Sequence, residues 1–380
     1  MKKSFLMLGV AVAALTSCTN DEVVEMNQGS SIQFESFVNK STRAVTTTTG
    51  LTNFYVFGYH SGDTNPVFSN VEVSFDETDG WGYDSETKYW TANTYLFGAY
   101  ATNKASEDLN ETTTNVTFNE AGTLTISNYS VGKMLPAETH STDDLVGTVK
   151  TQDNRGLKNE TVDLDFKHLL SQVKFQFVNN SNSYYMTVSD ITFKAMPTGT
   201  CAIQNSNGNP SISWTLKDDL TAQDSLLYTY AGKGSYNENT HILTDFIAPS
   251  DDNTTQDVKE NEYNSDYYLV LPVAIANTTR ANFTICFYER IGVAGSYTYN
   301  LIQTIPYKNI SLHGTSGPTD AGNDNNKDND NITAWTPGYI YNYKAFFPVN
   351  PSEIIFSATV SDWKNDEVND NTTQSEGVIF

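Results

Sequence analysis

Val162-Asp163-Leu164-Asp165-Phe166 is followed closely by Val173-Lys174-Phe175-Gln176-Phe177. In both stretches apolar and polar side chains alternate without a break. That is the period of a strand with one face in a core and the other in water. Toward the amino end, Phe54-Tyr55-Val56-Phe57-Gly58-Tyr59, Val71-Glu72-Val73-Ser74-Phe75 and Tyr95-Leu96-Phe97-Gly98-Ala99-Tyr100 read as further strands. Val116-Thr117-Phe118 and Leu124-Thr125-Ile126 are shorter ones, and Ile32-Gln33-Phe34-Glu35-Ser36-Phe37-Val38 is an early one. Toward the carboxyl end, residues 191–193, 267–271, 283–288, 297–305 and 339–347 continue the series. A single weak helical segment is expected near Leu169 to Gln172. Many short strands separated by turn residues indicate sandwiches, not a parallel α/β sheet. The expected fold class is all-β.

The 380 residues carry 22 Tyr, 20 Phe and 5 Trp, clustered in these strands. Disordered chains are poor in aromatics, so the high charge is a property of a folded surface. Asp and Glu total 45 against 22 Lys and Arg, for a net charge of −23. Residues 1–43 hold four basic and four acidic residues, so the remainder keeps −23. Such a surface repels phosphate backbones, and no basic patch is interleaved with aromatics; nucleic acid is excluded as a partner. Length suggests two domains. The polar stretch between about 145 and 158 places the boundary, giving sandwiches at 44–158 and 159–380.

Met1-Lys2-Lys3 precedes an apolar run from Phe5 to Leu15. Eleven residues are too few to cross a bilayer, which takes about 20, and the pattern is that of a cleaved export signal. Leu15-Thr16-Ser17-Cys18 resembles a lipobox, which makes residues 1–17 a lipoprotein signal peptide and Cys18 the lipidated residue. Diacylglycerol plus an N-acyl chain is enough for stable anchoring. Residues 18–43 form a tether and an early strand, ending in Thr42-Arg43-Ala44 and a threonine run. A lone arginine in an exposed stretch is open to proteolysis.

Other signals are weaker. Cys201 and Cys286 are an even pair in an exported chain, but read slightly better as two free thiols. No metal is expected from five scattered histidines. Asp324, Asn326 and Asp328 start like a calcium loop, yet Asn329 stands where glycine is required and Trp335 where a carboxylate is. His168 has no nucleophile or carboxylate at useful spacing and reads as a packed histidine. Ala231-Gly232-Lys233-Gly234-Ser235 lacks phosphate-loop spacing. Trp81, Trp90 and Trp214 suit a sandwich interior better than a sugar platform. No catalytic residue and no cofactor are expected.

Five stretches taken in order resemble the fimbrillin family, the type V pilins of Gram-negative gut and mouth anaerobes. They are Cys18 with Thr42-Arg43-Ala44; Leu51-Thr52-Asn53-Phe54-Tyr55-Val56-Phe57-Gly58-Tyr59; Tyr89-Trp90 leading into 95–100; Leu164-Asp165-Phe166-Lys167-His168-Leu169-Leu170-Ser171-Gln172-Val173-Lys174-Phe175; and Trp335-Thr336-Pro337-Gly338-Tyr339-Ile340-Tyr341-Asn342-Tyr343 followed by 354–363. The resemblance implies two transthyretin-like β-sandwich domains in tandem. It also implies cleavage between Arg43 and Ala44 by an arginine-specific protease. The departing strand would carry Ile32, Phe34, Phe37 and Val38, and a strand from another subunit would fill its groove. The donor would come from the carboxyl end, either Ile354, Phe356, Ala358 and Val360 or the tail Val378, Ile379 and Phe380. The first set could equally complete the subunit's own sandwich. The expected partners are pilin subunits, self or accessory, the outer membrane through the lipid, and a host or bacterial surface ligand. The alternative is a monomeric anchored lipoprotein that binds glycans or host ligands without polymerising. A surface hydrolase is the remaining rival, with no carboxylate pair to point to it.

Overall fold

A computed structural model describes residues 30–38, 51–102, 115–131, 145–206, 208–217, 225–250, 261–275, 279–313, 332–348 and 354–362. Among them there is no helix. The segment expected to be helical near Leu169 is instead a corner between two strands, with Leu169 and Leu170 both fully buried.

Seven strands form the first sheet. Its centre is antiparallel: β8 (Val146–Asp153), β5 (Thr94–Ala101), β2 (Asn53–His60) and β3 (Pro66–Asp76), with β4 (Gly80–Gly82) at one edge. At the other edge come β9 (Val162–His168) and then β1 (Phe34–Val38), which runs parallel to β9. The sheet rolls on itself, as the ring contacts of Phe34 in β1 with Phe54, Phe68 and Phe97 of β2, β3 and β5 show. The enclosed core holds Ile32, Phe34, Phe54, Val56, Phe68, Tyr95, Phe97, Val162, Leu164 and Phe166.

The other face of the central strands is covered by a four-stranded sheet, β13-β12-β7-β6. Its members are β6 (Asn115–Phe118), β7 (Leu124–Ser130), β12 (Thr198–Ser206) and β13 (Asn209–Leu216). Backbone pairing therefore continues across residue 158: β9 pairs with β8, and β12 with β7. Two glycines let the sheets approach closely. A Cβ on Gly98 would stand 2.5 Å from the Phe118 ring, and one on Gly147 would stand 2.7 Å from Ile203. Neither has the left-handed backbone that restricts side chains, so the constraint is space alone. Gly98→Ala is expected to cost about 1–3 kcal/mol through overpacking, read as a lower urea midpoint with unchanged slope.

Two more four-stranded sheets make the second sandwich. One is β17-β10-β20-β21, from β10 (Ser171–Asn179), β17 (Glu262–Val270), β20 (Tyr339–Phe347) and β21 (Ile355–Asp362). The other is β14-β11-β18-β19, from β11 (Tyr184–Ala195), β14 (Leu226–Thr229), β18 (Arg280–Ile291) and β19 (Thr298–Ser311). A small hairpin, β15 (Ser235–Asn237) with β16 (Ile242–Thr244), completes the strands. The core between the sheets is largely aromatic, with Phe175, Phe177, Phe193, Phe283, Phe287, Trp335, Tyr343 and Phe347. Three of its tyrosine hydroxyls find carbonyls: Tyr230 donates to Val173 O at 2.7 Å, Tyr268 to Thr229 O at 2.6 Å and Tyr343 to Leu312 O at 3.1 Å, whereas the buried Tyr228 hydroxyl has no partner among the described residues.

Burial pushes the Tyr230 and Tyr343 phenols up, and Tyr100 in the first sandwich up to about 12. The unfolded chain ionises these groups near pH 10, where the folded chain still holds their protons. Stability from this source is full below pH 10 and is lost as pH rises through the folded values. Unfolding midpoints are expected to stay level up to about pH 10 and then fall, with part of the tyrosinate absorbance appearing only on unfolding.

Candidate functional site: the first-strand slot

Ile32-Gln33-Phe34-Glu35-Ser36 alternates buried and exposed residues, with Ile32 at 0%, Phe34 at 3% and Ser36 at 5% exposure. The inward side chains enter the rolled core. Phe34 is caged by four rings at centroid distances of 5.3 Å to Phe68, 5.7 Å to Phe97, 6.1 Å to Tyr83 and 6.3 Å to Phe54, all edge-on. Such pairs add about 0.5–1.5 kcal/mol each beyond simple burial. The Ser36 hydroxyl is buried with no hydrogen-bond partner among the described residues.

Backbone contacts fix the register. Phe34, Glu35, Ser36, Phe37 and Val38 stand opposite Val162, Asp163, Leu164, Asp165 and Phe166. Val162 N donates to Gln33 O at 2.8 Å. The segment just before β1 is held by the chain around residues 83–90: Ile32 N donates to Lys88 O at 2.8 Å and Trp90 N to Ser30 O at 3.0 Å. The Tyr83 hydroxyl donates to Ile32 O at 3.1 Å and receives Lys88 N at 3.3 Å. Its phenol is pushed up, mainly by desolvation. On the outer face Lys167 pairs with Asp165 at 2.8 Å.

Two features make this a slot more than an ordinary edge. First, β1 does not pair with β2, the next strand in sequence; its ladder partner, β9, lies far along the chain. No hairpin turn would be broken by its loss. Second, β9 pairs with β8 only at His168 and Lys167. Over Val162 to Phe166, the described ladder partner of β9 is β1. The arrangement grips an extended chain by backbone hydrogen bonds and by an aromatic pocket at alternate positions, the physics of strand addition.

The family model of fimbrillin-like proteins matches residues 42–363. The chain belongs to that family. The fimbrillin-like fold is shared with a fimbrial protein from Bacteroides vulgatus, at 15% identity and a TM-score of 0.54, over 88% of this chain and 99% of that one. A candidate cell adhesion protein from Bacteroides uniformis aligns at 14% identity over 88% of this chain and 99% of that one, with a TM-score of 0.43. No curated protein matches.

In this fimbrillin-like chain Ile32 and Phe34 lie together in the slot, as their alternation implies. Phe37 and Val38 belong to β1, but their side chains lie outside the description, as do Cys18, Arg43, Ala44, Val378, Ile379 and Phe380. Of the other proposed donor residues, Ile354 and Phe356 pack on the core of their own second sandwich and Ala358 is fully buried there. Phe356 stacks on Tyr343 at 6.1 Å, and β21 pairs with β20. Sequence reasoning missed the cage residues Phe68, Tyr83 and Phe97 as slot residues, together with Ser36. Cage membership is set by the rolling of the sheet, which periodicity does not encode.

The remaining candidates are structural. His168 is 2% exposed at the end of β9. Trp81 packs on Phe54 and Phe75, Trp90 is 3% exposed, and Trp214 Nε1 donates to Leu169 O at 2.7 Å. Cys201 and Cys286 are free thiols in different sheets. Among the described residues no group of three metal-ligating side chains comes together; the Asp and Asn run at 320–331 lies outside them.

Proposed function

We propose that this chain is a structural subunit of a cell-surface fimbria, supporting adhesion and carrying no catalytic site. It is exported as a lipoprotein acylated at Cys18, reaches the outer membrane, and is cut between Arg43 and Ala44. The cut frees residues 18–43, β1 leaves, and a strand from another fimbrial subunit takes its place. The donor is drawn from the carboxyl-terminal segment, and two sandwiches form the body, the first holding β12 and β13 along with the strands up to β9, and the second holding β10, β11, β14 and β17 to β21.

The observation that carries this reading is the burial of Ile32 and Phe34 on a strand gripped by β9 and an aromatic cage, outside any hairpin with β2. A strand so placed can be exchanged without unravelling its neighbours, and the cage leaves an apolar groove that needs an occupant. Family membership supports the fimbrial setting. Mass spectrometry of chains sheared from the surface in assembled form tests the reading. The expected amino terminus is Ala44. An acylated Cys18 terminus on every assembled chain would overturn it.

A further inference from the structure

The geometry points to a saccharide-binding groove on the outer face of the second sandwich, where β18 runs between bulged stretches of β11 and β19. This site goes beyond strand exchange and does not require it. The register of β11 on β18 slips between Ser189, opposite Thr284, and Thr192, opposite Asn282. The register of β19 slips between Tyr307, opposite Phe283, and Ile310, opposite Ala281. Both slips therefore fall beside Asn282. Each extra stretch holds a non-glycine residue in the left-handed conformation, Asp190 at φ 55° and Asn309 at φ 60°. A bulge bends its strand and re-aims side chains, and strained backbone of this kind gathers at binding sites. Here the two bulges flank a groove of about 520 Å³, within the range of about 300–1,000 Å³ that small ligands occupy.

Lining the groove are Asp190, Thr192, Thr229, Asn282, Thr284 and Lys308. Phe193, Phe283 and Ile285 belong to the core, so Thr192, Asn282 and Thr284, which alternate with them, face outward. The three threonine hydroxyls make no hydrogen bond among the described residues. Asn309 N donates to Asn282 Oδ1 at 3.0 Å and leaves the amide NH2 as a donor. Ser189 Oγ donates to Asp190 Oδ2 at 3.0 Å and leaves Oδ1 as an acceptor. Threonine hydroxyls both donate and accept, Asp190 only accepts and Lys308 only donates. A saccharide matches this mixture, because each of its hydroxyls gives one proton and takes another. The exposed ring of Pro306 adds an apolar contact for the C–H face of a sugar. Ions fit less well: an anion meets Asp190, and a cation meets Lys308. A peptide strand finds no free edge in the floor, since β18 is paired on both sides.

The test applies the full chain to an array of neutral, sialylated and sulfated oligosaccharides, and then titrates the best-bound one. Binding is expected on neutral glycans. Asp190→Asn keeps the left-handed backbone, which asparagine also tolerates, and removes the charged acceptor. It is expected to weaken binding about tenfold. Thr284→Val removes one hydroxyl at nearly constant shape and is expected to weaken binding about fivefold. Neither hydroxyl nor charge has a structural partner to lose beyond Ser189, so both variants should unfold at the wild-type urea concentration. Affinity unchanged in both variants would place the glycan elsewhere and overturn the inference. Preference for the sialylated or sulfated glycans would overturn it as well. An array with no bound glycan would give the groove to a protein partner or to none, and would overturn it too; the exchange reading stands in all three cases.

Discussion

Phe34→Ala is expected to lower the unfolding free energy by about 3–5 kcal/mol, the range for deleting a large buried aromatic. The side chain is 3% exposed and meets four rings, so the vacancy lies among residues that cannot collapse without shifting β2, β3 and β5 together. The loss should also be local in character. With the anchor gone, β1 loosens first, and the amides of β9 that face it should exchange faster than those of β10. Urea unfolding gives the total, and Glu35→Ala, on the exposed face of the same strand, is the control expected to stay within about 0.5 kcal/mol. Equal effects from the two substitutions would remove the slot from this account.

Arg43→Ala is expected to abolish assembly outright while leaving the folded chain unchanged. Arg43 is the single basic residue in Ser41-Thr42-Arg43-Ala44-Val45, so its loss would remove the proposed cut. Cells carrying the variant should hold full-length, lipid-modified chain, and the detergent-resistant ladder of polymers should vanish. An Arg43→Lys variant should fail in the same way if the protease requires the guanidinium, which separates charge from recognition. Ladders of wild-type intensity from Arg43→Ala would show that β1 need not depart.

Much of this fold is written in strict alternation. Tyr339 to Phe347 reads as a strand and is β20 to the residue; the alternating run from Val162 to Phe166 lies within β9. What alternation fails to mark is equally specific. In β8, Val146, Gly147, Thr148 and Val149 are buried in succession, because the strand lies between two packed layers, so no period of two survives and the stretch reads as a linker. In β12 the inward positions are Gly199, Cys201 and Ile203, of which two are small, and the strand looks polar although it bridges β7 and β13. The corner at Leu169 and Leu170 buries both leucines and so mimics a helical apolar pair. At the slot, Ile32 and Phe34 are legible, whereas Ser36 is not: a serine at an inward position breaks the apolar pattern, and only packing shows that its hydroxyl is enclosed.

The dependence of β9 on its neighbour is open to one direct measurement: hydrogen exchange of the amides of Val162, Leu164 and Phe166, the alternate residues whose N–H groups face β1 in the parallel ladder. In the intact chain these should be protected, Val162 through its bond to Gln33 O. After cleavage at Arg43 and removal of the fragment, protection there should collapse, while β10 and β20 keep theirs; in assembled polymers it should return. Protection of these three amides that is indifferent to the fragment's removal would contradict the account, since β9 would then have a partner other than the strand that leaves.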